Sequence, residues 1–437
     1  MTNQPRSTLI VPVLTAAGAL VVLGAIAFLV ASGGTPAATI KPSSPPVALA
    51  SRTPTDPSVA PVLEPSAPPS ATPRPTAKPT PKPPPVWSKP TTIAGLDTCS
   101  SVVATIDARG IDHVAATCDG TAGNQVRYAV SSNGRTWHTT TFTPPSGRFE
   151  LDPQLAFAGD TLYVAYTRVA PTDGGCGDDG LADVGVYYRT RTLPSGAWSE
   201  PTRLGLVGDH LQSFRVNGSV IHATVANEKD GKTYYEALSG ATLDREDLGV
   251  AGLTSLRVGD DGKARIAYAS ETGIEIATGD GSNLSAEVIP GSKVGSDPTL
   301  VLAPGNDAYV LWTRSSGTGG GGCADMDGDS SDGTYFATNA SGKWVTSRLT
   351  SLLGGTSMAL DPVTGEIHVL VDAYQRIVYF HRSAAAGSAW AHETLVRGGL
   401  SWAVIREDPA SGDLLVVFVT NPASESDVLH VQVMTRH

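Results

Sequence analysis

Beyond residue 99, one pattern of hydrophobic and polar positions occurs seven times along the chain. Each copy has an apolar run, a short polar turn and a second apolar run, followed by shorter stretches in which polar and apolar residues alternate. Apolar runs of this length, separated by polar turns and without a helical period, are typical of β-hairpins. The copies are residues 103–117, 155–167 (LAFAGDTLYVAYT), 214–226, 256–269, 300–313 (LVLAPGNDAYVLWT), 358–371 and 404–419.

The spacing of these copies indicates the fold. Hairpins that recur roughly every 40–55 residues are typical of the blades of a β-propeller. We therefore predict an all-β fold, a seven-bladed β-propeller over residues 86–437, with six blades as the alternative.

Four copies have an outer strand that begins at a tryptophan shortly after a glycine, namely Trp137, Trp198, Trp344 and Trp390. The last copy, from residue 400, ends without such a strand. Residues 86–93 (VWSKPTTI) resemble the outer strand at 198–204 (WSEPTRL). We predict that residues 86–93 complete the seventh blade, which closes the ring and removes an open sheet edge.

The first 85 residues have a different composition. Residues 9–31 contain no charged residue and are long enough to span a bilayer as a transmembrane helix, with Arg6 before them and residues 1–8 as a cytoplasmic tail. Residues 35–85 are a Pro/Ala/Ser/Thr-rich stalk that cannot bury a core, since 18 of the 32 prolines lie within residues 35–90. The predicted location is the cell membrane, single-pass, with the membrane as a partner and the propeller extracytoplasmic. A cleaved signal peptide and a secreted protein are the alternative.

The charge and the cysteines limit the function further. The net charge is −11, and the stalk carries more basic than acidic residues, so the folded part is acidic and nucleic acid is not an expected partner. Four cysteines behind an export segment favour disulfides over a metal site. A two-residue hairpin turn within residues 107–110 would place Cys99 opposite Cys118, and Cys176 and Cys323 lie in two loops that could be joined.

Copies two and five share features that suggest one functional face. Each begins with Asp-Pro, ends its second apolar run in Thr-Arg, and then inserts a glycine-rich acidic loop with one cysteine. In a meandering blade, the start of the first strand and the loop between the second and third strands lie on the same face. The predicted ligand-binding residues of this face are Asp152, Arg168, Asp297 and Arg314.

The second of these loops carries alternating carboxylates. Such spacing on a turning backbone suits Ca²⁺, which is the candidate cofactor, and a solvated acidic loop is the alternative. The predicted metal ligands are Asp325, Asp327, Asp329 and Asp332.

Three arginines occupy the same position of the innermost strand in copies three, four and seven: Arg215, Arg257 and Arg406. Near a central channel they can clamp an anion. The alternatives are ion pairs with acids such as Asp260 or Glu407, or a water-filled channel.

Residues 130–137 (VSSNGRTW) resemble the Asp-box of sialidase-like, BNR-repeat propellers, S-x-D-x-G-x-T-W, with Ser132 at the position of the aspartate. The resemblance implies a structural turn between the third and fourth strands of a blade. For an enzyme it also implies three arginines for a substrate carboxylate, a Tyr–Glu nucleophile pair and an acidic general acid. The early F-R-I-P motif has its nearest counterpart in residues 214–217 (FRVN), which lack the proline.

Three functions follow from these patterns. The first is a membrane-anchored binding module for a glycan or a protein, with Ca²⁺ as a stabilising ion. The second is a sialidase-like glycoside hydrolase in which Asp152 and Asp297 are the first carboxylates to test. The third is a structural scaffold.

Two further groups of residues are interpreted as structural. His113, His222 and His368 occupy equivalent second-strand positions and are interpreted as packing residues. The run Tyr234, Tyr235 and Glu236 is interpreted as a third strand.

Overall fold

The computed structural model describes residues 86–121, 123–172, 181–281, 283–315, 331–373, 375–383, 388–421 and 429–437. Within them, 28 strands form seven antiparallel sheets of four strands each. The predicted cytoplasmic tail, transmembrane helix and stalk lie outside these residues. In the described part of the chain, no helix has the length and hydropathy needed to cross a membrane.

Each of the first six sheets is a meander of four consecutive strands, which is one propeller blade. Blade 1 contains β2 (Cys99–Ile106), β3 (Asp112–Cys118), β4 (Gln125–Ser131) and β5 (His138–Phe142). Blade 2 contains β6 (Phe149–Ala158), β7 (Thr161–Pro171), β8 (Leu181–Thr192) and β9 (Thr202–Leu204). Blade 3 contains β10 (Asp209–Asn217), β11 (Val220–Asn227), β12 (Lys232–Ser239) and β13 (Thr242–Asp247).

The following blades have the same order. Blade 4 contains β14 (Thr254–Val258), β15 (Ala264–Ser270), β16 (Gly273–Asp280) and β17 (Asn283–Val288). Blade 5 contains β18 (Gly295–Leu302), β19 (Ala308–Arg314), β20 (Gly333–Thr338) and β21 (Val345–Thr350). Blade 6 contains β22 (Gly355–Leu360), β23 (Ile367–Ala373), β24 (Arg376–Arg382) and β25 (Ala391–Arg397).

Blade 7 is assembled from both ends of the domain. Its first three strands are β26 (Gly399–Glu407), β27 (Leu414–Asn421) and β28 (His430–Arg436), and its outer strand is β1 (Thr91–Asp97). Thr91 is paired with Val433, and Trp87 forms an isolated bridge with Arg436. The predictions of seven blades and of ring closure are therefore confirmed.

The closing strand begins later than the sequence predicted. Residues 86–93 were expected to form it, but continuous pairing starts at Thr91, directly after Pro90. Proline has no N–H to donate to a ladder, which explains the delayed start. Trp87 still anchors the segment, because its Nε1 donates to Glu393 Oε1 of blade 6 at 2.9 Å and its indole packs edge-on against Tyr379.

The hydrophobic cores lie between neighbouring blades. Ile93 and Leu96 of the closing strand are fully buried, and they belong to one cluster with Val114 of blade 1 and with Val417 and Val431 of blade 7. The closing strand therefore completes blade 7 and also contributes to the core that joins the last blade to the first.

Cys99 and Cys118 form a disulfide that clamps β2 to β3, as predicted. The predicted two-residue turn was wrong, since Ile106 is paired with Asp112 and the connection between them is longer. A β-bulge between Cys99 and Ser101 shifts the register by one residue and brings the cysteines opposite each other again.

Removal of this disulfide should destabilise the propeller. The bond closes a loop with a sequence separation of 19, for which the chain-entropy relation gives about 3 kcal/mol. We expect the Cys99→Ser, Cys118→Ser double variant to lose about that much free energy of unfolding in urea titrations. An unchanged midpoint in the variant would contradict the expectation.

Candidate functional site

The ring has two faces, defined here by the innermost strands. At the upper face these strands begin, and the loops between second and third strands lie there. At the lower face the same strands end in short turns. The innermost strands are β2, β6, β10, β14, β18, β22 and β26.

The three predicted arginines line one cavity of about 240 Å³ in the central channel. Equivalent hydrogen bonds between neighbouring innermost strands show that two of them occupy equivalent strand positions. Leu256 N donates to Ser213 Oγ, and Ile405 N donates to Ser357 Oγ, each at 3.1 Å. Arg257 and Arg406 are the residues after these two donors and lie near the lower end of their strands.

The guanidinium groups of the cavity hydrogen-bond mainly to main-chain carbonyls. Arg215, Arg257 and Arg406 each donate from Nη1 to the carbonyl of the preceding residue, at 2.5, 2.9 and 2.6 Å respectively. The Nε of Arg406 also donates to the carbonyl of Ala104 in blade 1 at 2.8 Å. Within the described residues, none of the three forms an ion pair with a carboxylate.

The acids proposed as alternative partners of these arginines have other neighbours. Asp260 Oδ2 accepts a hydrogen bond from Gly305 N at 3.1 Å. Glu407 Oε2 lies 3.8 Å from His368 Nε2, between blades 6 and 7. Ion pairing with Asp260 or Glu407 is therefore not observed in the described part of the chain.

Burial without a counter-ion changes the electrostatics of the arginines. Burial, together with the charge of Arg406, lowers the pKa of Arg215 to about 9. Burial likewise lowers the pKa of Arg406 to about 10. Both remain protonated at neutral pH, so the cavity carries positive charge that an anion would stabilise.

The rest of the cavity is neutral, and no carboxylate is among its described lining residues. Val103, Ala104 and Thr105 of blade 1 line it on one side, and blades 2 and 3 supply the remainder. These further residues are Gln154, Leu155, Ala156, Phe157 and Val216.

Asp152 and Asp297 lie at the upper ends of their innermost strands, as predicted. Both occupy β-bulges and have positive φ angles of 51° and 53°. The Asp152 carboxylate accepts from His210 Nε2 at 3.1 Å. Asp297 is exposed, and its carboxylate accepts from Ser296 Oγ at 3.0 Å.

His210 is a site residue that the sequence reasoning missed. It bridges two carboxylates, since its Nδ1 also lies 3.1 Å from Asp183 Oδ1. Burial alone would lower the pKa of His210, but the hydrogen bonds and charges of Asp152 and Asp183 raise it to about 10. The three residues come from different strands of blades 2 and 3, so no local motif could have revealed them.

Arg314 ends β19, the second strand of blade 5, at the upper face, as predicted, whereas β7 of blade 2 continues past Arg168 to Pro171. Arg168 is 7 % exposed, and its Nη2 donates to Glu150 Oε1 at 2.7 Å. Its guanidinium also lies over the ring of Tyr187. Arg168 is therefore held within blade 2, and we do not include it in a ligand surface.

The predicted Ca²⁺ site cannot be assembled from described residues. Asp325, Asp327, Asp329, Cys176 and Cys323 lie outside them. Asp332 is buried, and its carbonyl accepts a hydrogen bond from Arg348. Among the residues that the structure describes, no group of three or more His, Cys, Asp or Glu side chains is placed to hold a metal ion.

The equivalent histidines are packing residues, as interpreted from the sequence. His113, His222 and His368 are buried, and each has its Nδ1 within 2.7 Å of a tyrosine hydroxyl on the next strand of its blade. Tyr235 and Glu236 lie on β12, the third strand of blade 3, where Glu236 is ion-paired with Arg245.

Glu407 is a buried carboxyl group between blades 6 and 7. Its side chain is 4 % exposed, and neither carboxyl oxygen has a hydrogen-bond partner among the described residues. Burial, together with the charges of Asp361, Glu366 and Asp408, raises its pKa to about 8. The group is therefore largely protonated at neutral pH.

This pKa predicts a pH-dependent stability. Because the folded state holds a proton that the unfolded state releases near pH 4.5, the contribution is complete at low pH and is lost as pH rises through about 8. Between pH 6.5 and 8, urea titrations should show Glu407→Gln gaining about 1–2 kcal/mol relative to the wild type. The exposed control Glu271→Gln should gain nothing, and an equal change in both variants would refute the assignment.

The segment that resembles an Asp-box joins β4 to β5, the third and fourth strands of blade 1, as the resemblance implied. Its turn is held by Asn133, not by Ser132. Asn133 Oδ1 accepts from the main-chain N–H of Arg135 at 2.9 Å and of Thr136 at 2.8 Å. Asn133 therefore stabilises this turn.

No protein-family model matches this chain, and no curated protein matches its sequence. Hydrazine synthase of Kuenenia stuttgartiensis matches in structure with a TM-score of 0.51 and 11% identity, over 76% of this chain and 97% of that one. Penicillium chrysogenum α-L-arabinanase matches with a TM-score of 0.46 and 11% identity, over 78% and 94%.

Trypanosoma rangeli sialidase, in complex with 2,3-difluorosialic acid, matches with a TM-score of 0.40 and 10% identity, over 78% of this chain and 53% of that one. This chain thus corresponds to about half of that sialidase. At 11% identity, the match to hydrazine synthase concerns the fold alone. The resemblance to the sialidase-like family stays a prediction.

Proposed function

We propose that the propeller is a binding module that takes an anionic group of its ligand into the arginine cavity of the central channel. The observation that carries this proposal is the convergence of Arg215, Arg257 and Arg406 on one cavity without a carboxylate partner among the described residues. Guanidinium groups are well suited to carboxylate, sulfate and phosphate oxygens, which they bind through paired N–H donors.

The dimensions of the cavity limit the ligand. A volume of about 240 Å³ admits a small charged group and the ring that carries it, but not a folded protein domain. An acidic glycan, which presents a carboxylate or sulfate on a sugar ring, fits this description. The ligand class that we propose is therefore an anionic glycan, bound from the lower face, near which the arginines lie.

Binding has more support than hydrolysis. A sialidase-like hydrolase needs carboxyl groups beside the scissile bond, and the described lining of the arginine cavity contains none. Asp152, one of the two carboxylates first considered for this role, is hydrogen-bonded to His210 at the upper face.

The N-terminal predictions complete the proposal. With a transmembrane helix at residues 9–31 and a stalk over residues 35–85, the propeller would be held outside the cell membrane, where glycans are exposed. Ca²⁺ bound by the acidic loop of blade 5 would stabilise the upper face. Both statements are proposals that rest on the sequence.

A matched pair of ligands tests the function. Every strand of the ring lies within residues 86–437, so this fragment contains the whole fold. Isothermal titration of the fragment with methyl glucuronide should show binding at least tenfold tighter than with methyl glucoside, which has a neutral hydroxymethyl group in place of the carboxylate. Equal affinities for the two ligands would overturn the proposal.

A further inference from the structure

Trp402 is exposed at the upper face, at the opposite end of β26 from the arginine cavity. Its side chain is 57% exposed, and its φ angle is 56°. A bulky residue rarely adopts a positive φ, and such strain persists only where the surrounding structure imposes it. Here a β-bulge between Ser401 and Ala403 imposes it, and the Trp402 N–H donates to the carboxylate of Asp372 in blade 6.

Two carboxylates occupy the equivalent bulges of other blades. Asp152 in blade 2 and Asp297 in blade 5 share the positive φ and the position at the upper end of an innermost strand. Blades 2 and 5 are each two blades away from blade 7 around the ring. Among the described residues, these bulges therefore place one indole at the upper mouth of the channel, with an acidic side chain two blades away on either side.

The chemistry of this mouth selects one class of ligand. An exposed indole offers a flat apolar face with a polar edge, on which the C–H face of a sugar ring can stack. Carboxylates accept strong hydrogen bonds from hydroxyl groups. They repel anions, so an acidic sugar is disfavoured there.

A cation is the other chemistry that an indole and carboxylates can attract. It is the weaker candidate here, for two reasons. Trp402 stands alone at its bulge position, with no second aromatic residue at the equivalent bulges of blades 2 and 5. In addition, protonated His210 already neutralises part of the charge of Asp152 and Asp183.

We propose that the upper mouth is a second binding site, in which Trp402 is the stacking platform for a neutral oligosaccharide and Asp152 and Asp297 accept hydrogen bonds from its hydroxyl groups. Trp402 and Arg406 are four residues apart on one strand, about 13 Å. The platform is therefore separate from the arginine cavity and does not depend on the function proposed for that cavity.

The test uses the full-length protein and three neutral hexasaccharides: maltohexaose, cellohexaose and chitohexaose. We expect at least one to bind in isothermal titration and to change the tryptophan fluorescence. Trp402→Gly should weaken that binding at least tenfold, because glycine keeps the positive φ and removes only the platform. Trp402→Phe should retain part of it.

Leu253→Ala is the matched control, because Leu253 lies on the connection to β14 at the same face and is 58% exposed. It should bind like the wild type, and saturating methyl glucuronide should not displace the hexasaccharide. The proposal is wrong if none of the three sugars binds, if Leu253→Ala loses as much affinity as Trp402→Gly, or if the glucuronide competes. Quenching of the tryptophan fluorescence by tetramethylammonium but by no sugar, if it disappears in Trp402→Gly, would assign the site to cations.

Discussion

Replacing Ile93 and Leu96 together by alanine should lower the free energy of unfolding of the propeller by about 5 kcal/mol or more. Both side chains are fully buried between blade 7 and blade 1, and a buried isoleucine or leucine replaced by alanine costs about 2–5 kcal/mol. The two residues lie on the strand that closes the ring, so their loss also weakens the join between the two ends of the domain. Urea titration of the fragment 86–437 measures the effect.

Thr92→Ala is the control for this experiment. Thr92 lies directly before Ile93 on the same strand but is exposed, and it is paired with Gln432. We expect a change within about 0.5 kcal/mol for this variant. If the double variant also changed stability by no more than that, the closing strand would not be part of the cooperative fold.

The second large effect concerns the arginine cavity. Arg406→Met should weaken binding of methyl glucuronide about 10- to 100-fold, since hydrogen bonds to a charged group contribute about 1.5–3 kcal/mol each. Arg406→Lys keeps the charge but loses the paired donors, so it should restore only part of the affinity. Isothermal titration at fixed salt concentration measures both variants.

The free energy of unfolding of Arg406→Met provides a comparison with its affinity for methyl glucuronide. Arg406 has no carboxylate partner in the described structure, and removal of its buried charge offsets the loss of its hydrogen bonds to main-chain carbonyls. The substitution should therefore change the free energy of unfolding by less than about 1 kcal/mol, even though glucuronide binding is weakened. Arg135→Gln is the control, because Arg135 is an exposed arginine on the turn between β4 and β5. Equal loss of affinity in Arg135→Gln would mean that the ligand responds to overall charge, not to the cavity.

The fold was predictable because it is repetitive. All seven similar hairpins predict the same architecture, so an error in the interpretation of one copy does not change the predicted fold. Closure was predictable for a related reason, since the last copy lacked an outer strand and residues 86–93 supplied a matching one. The exact start of that strand was not, because it depends on the missing N–H of Pro90 and on the side-chain contacts of Trp87.

The alignment of Arg215, Arg257 and Arg406 was predictable from their strand positions alone, because equivalent positions of equivalent strands face the same channel. The sequence did not show which groups would bind the guanidinium groups of these arginines. Asp260 and Glu407 lie close to these arginines in the sequence, yet the carboxylate of Asp260 accepts from Gly305 N and that of Glu407 lies next to His368. Such choices depend on contacts between blades, which no single repeat contains.

The residues of the upper mouth were also only partly predictable from the sequence. Asp152 and Asp297 were found because Asp-Pro recurs in two copies, but Trp402 has no such signature in its own copy. Its equivalence to the two aspartates comes from β-bulges that are visible only in the strand pairing. His210 was missed because its two partners lie 58 and 27 residues away.

A crystal structure of the fragment 86–437 with methyl glucuronide would test the proposed function most directly. We predict that the carboxylate lies in the central cavity, with its oxygens within about 3 Å of guanidinium nitrogens from at least two of Arg215, Arg257 and Arg406. A glucuronide whose carboxylate faces solvent, or which binds only outside the channel, would contradict the account.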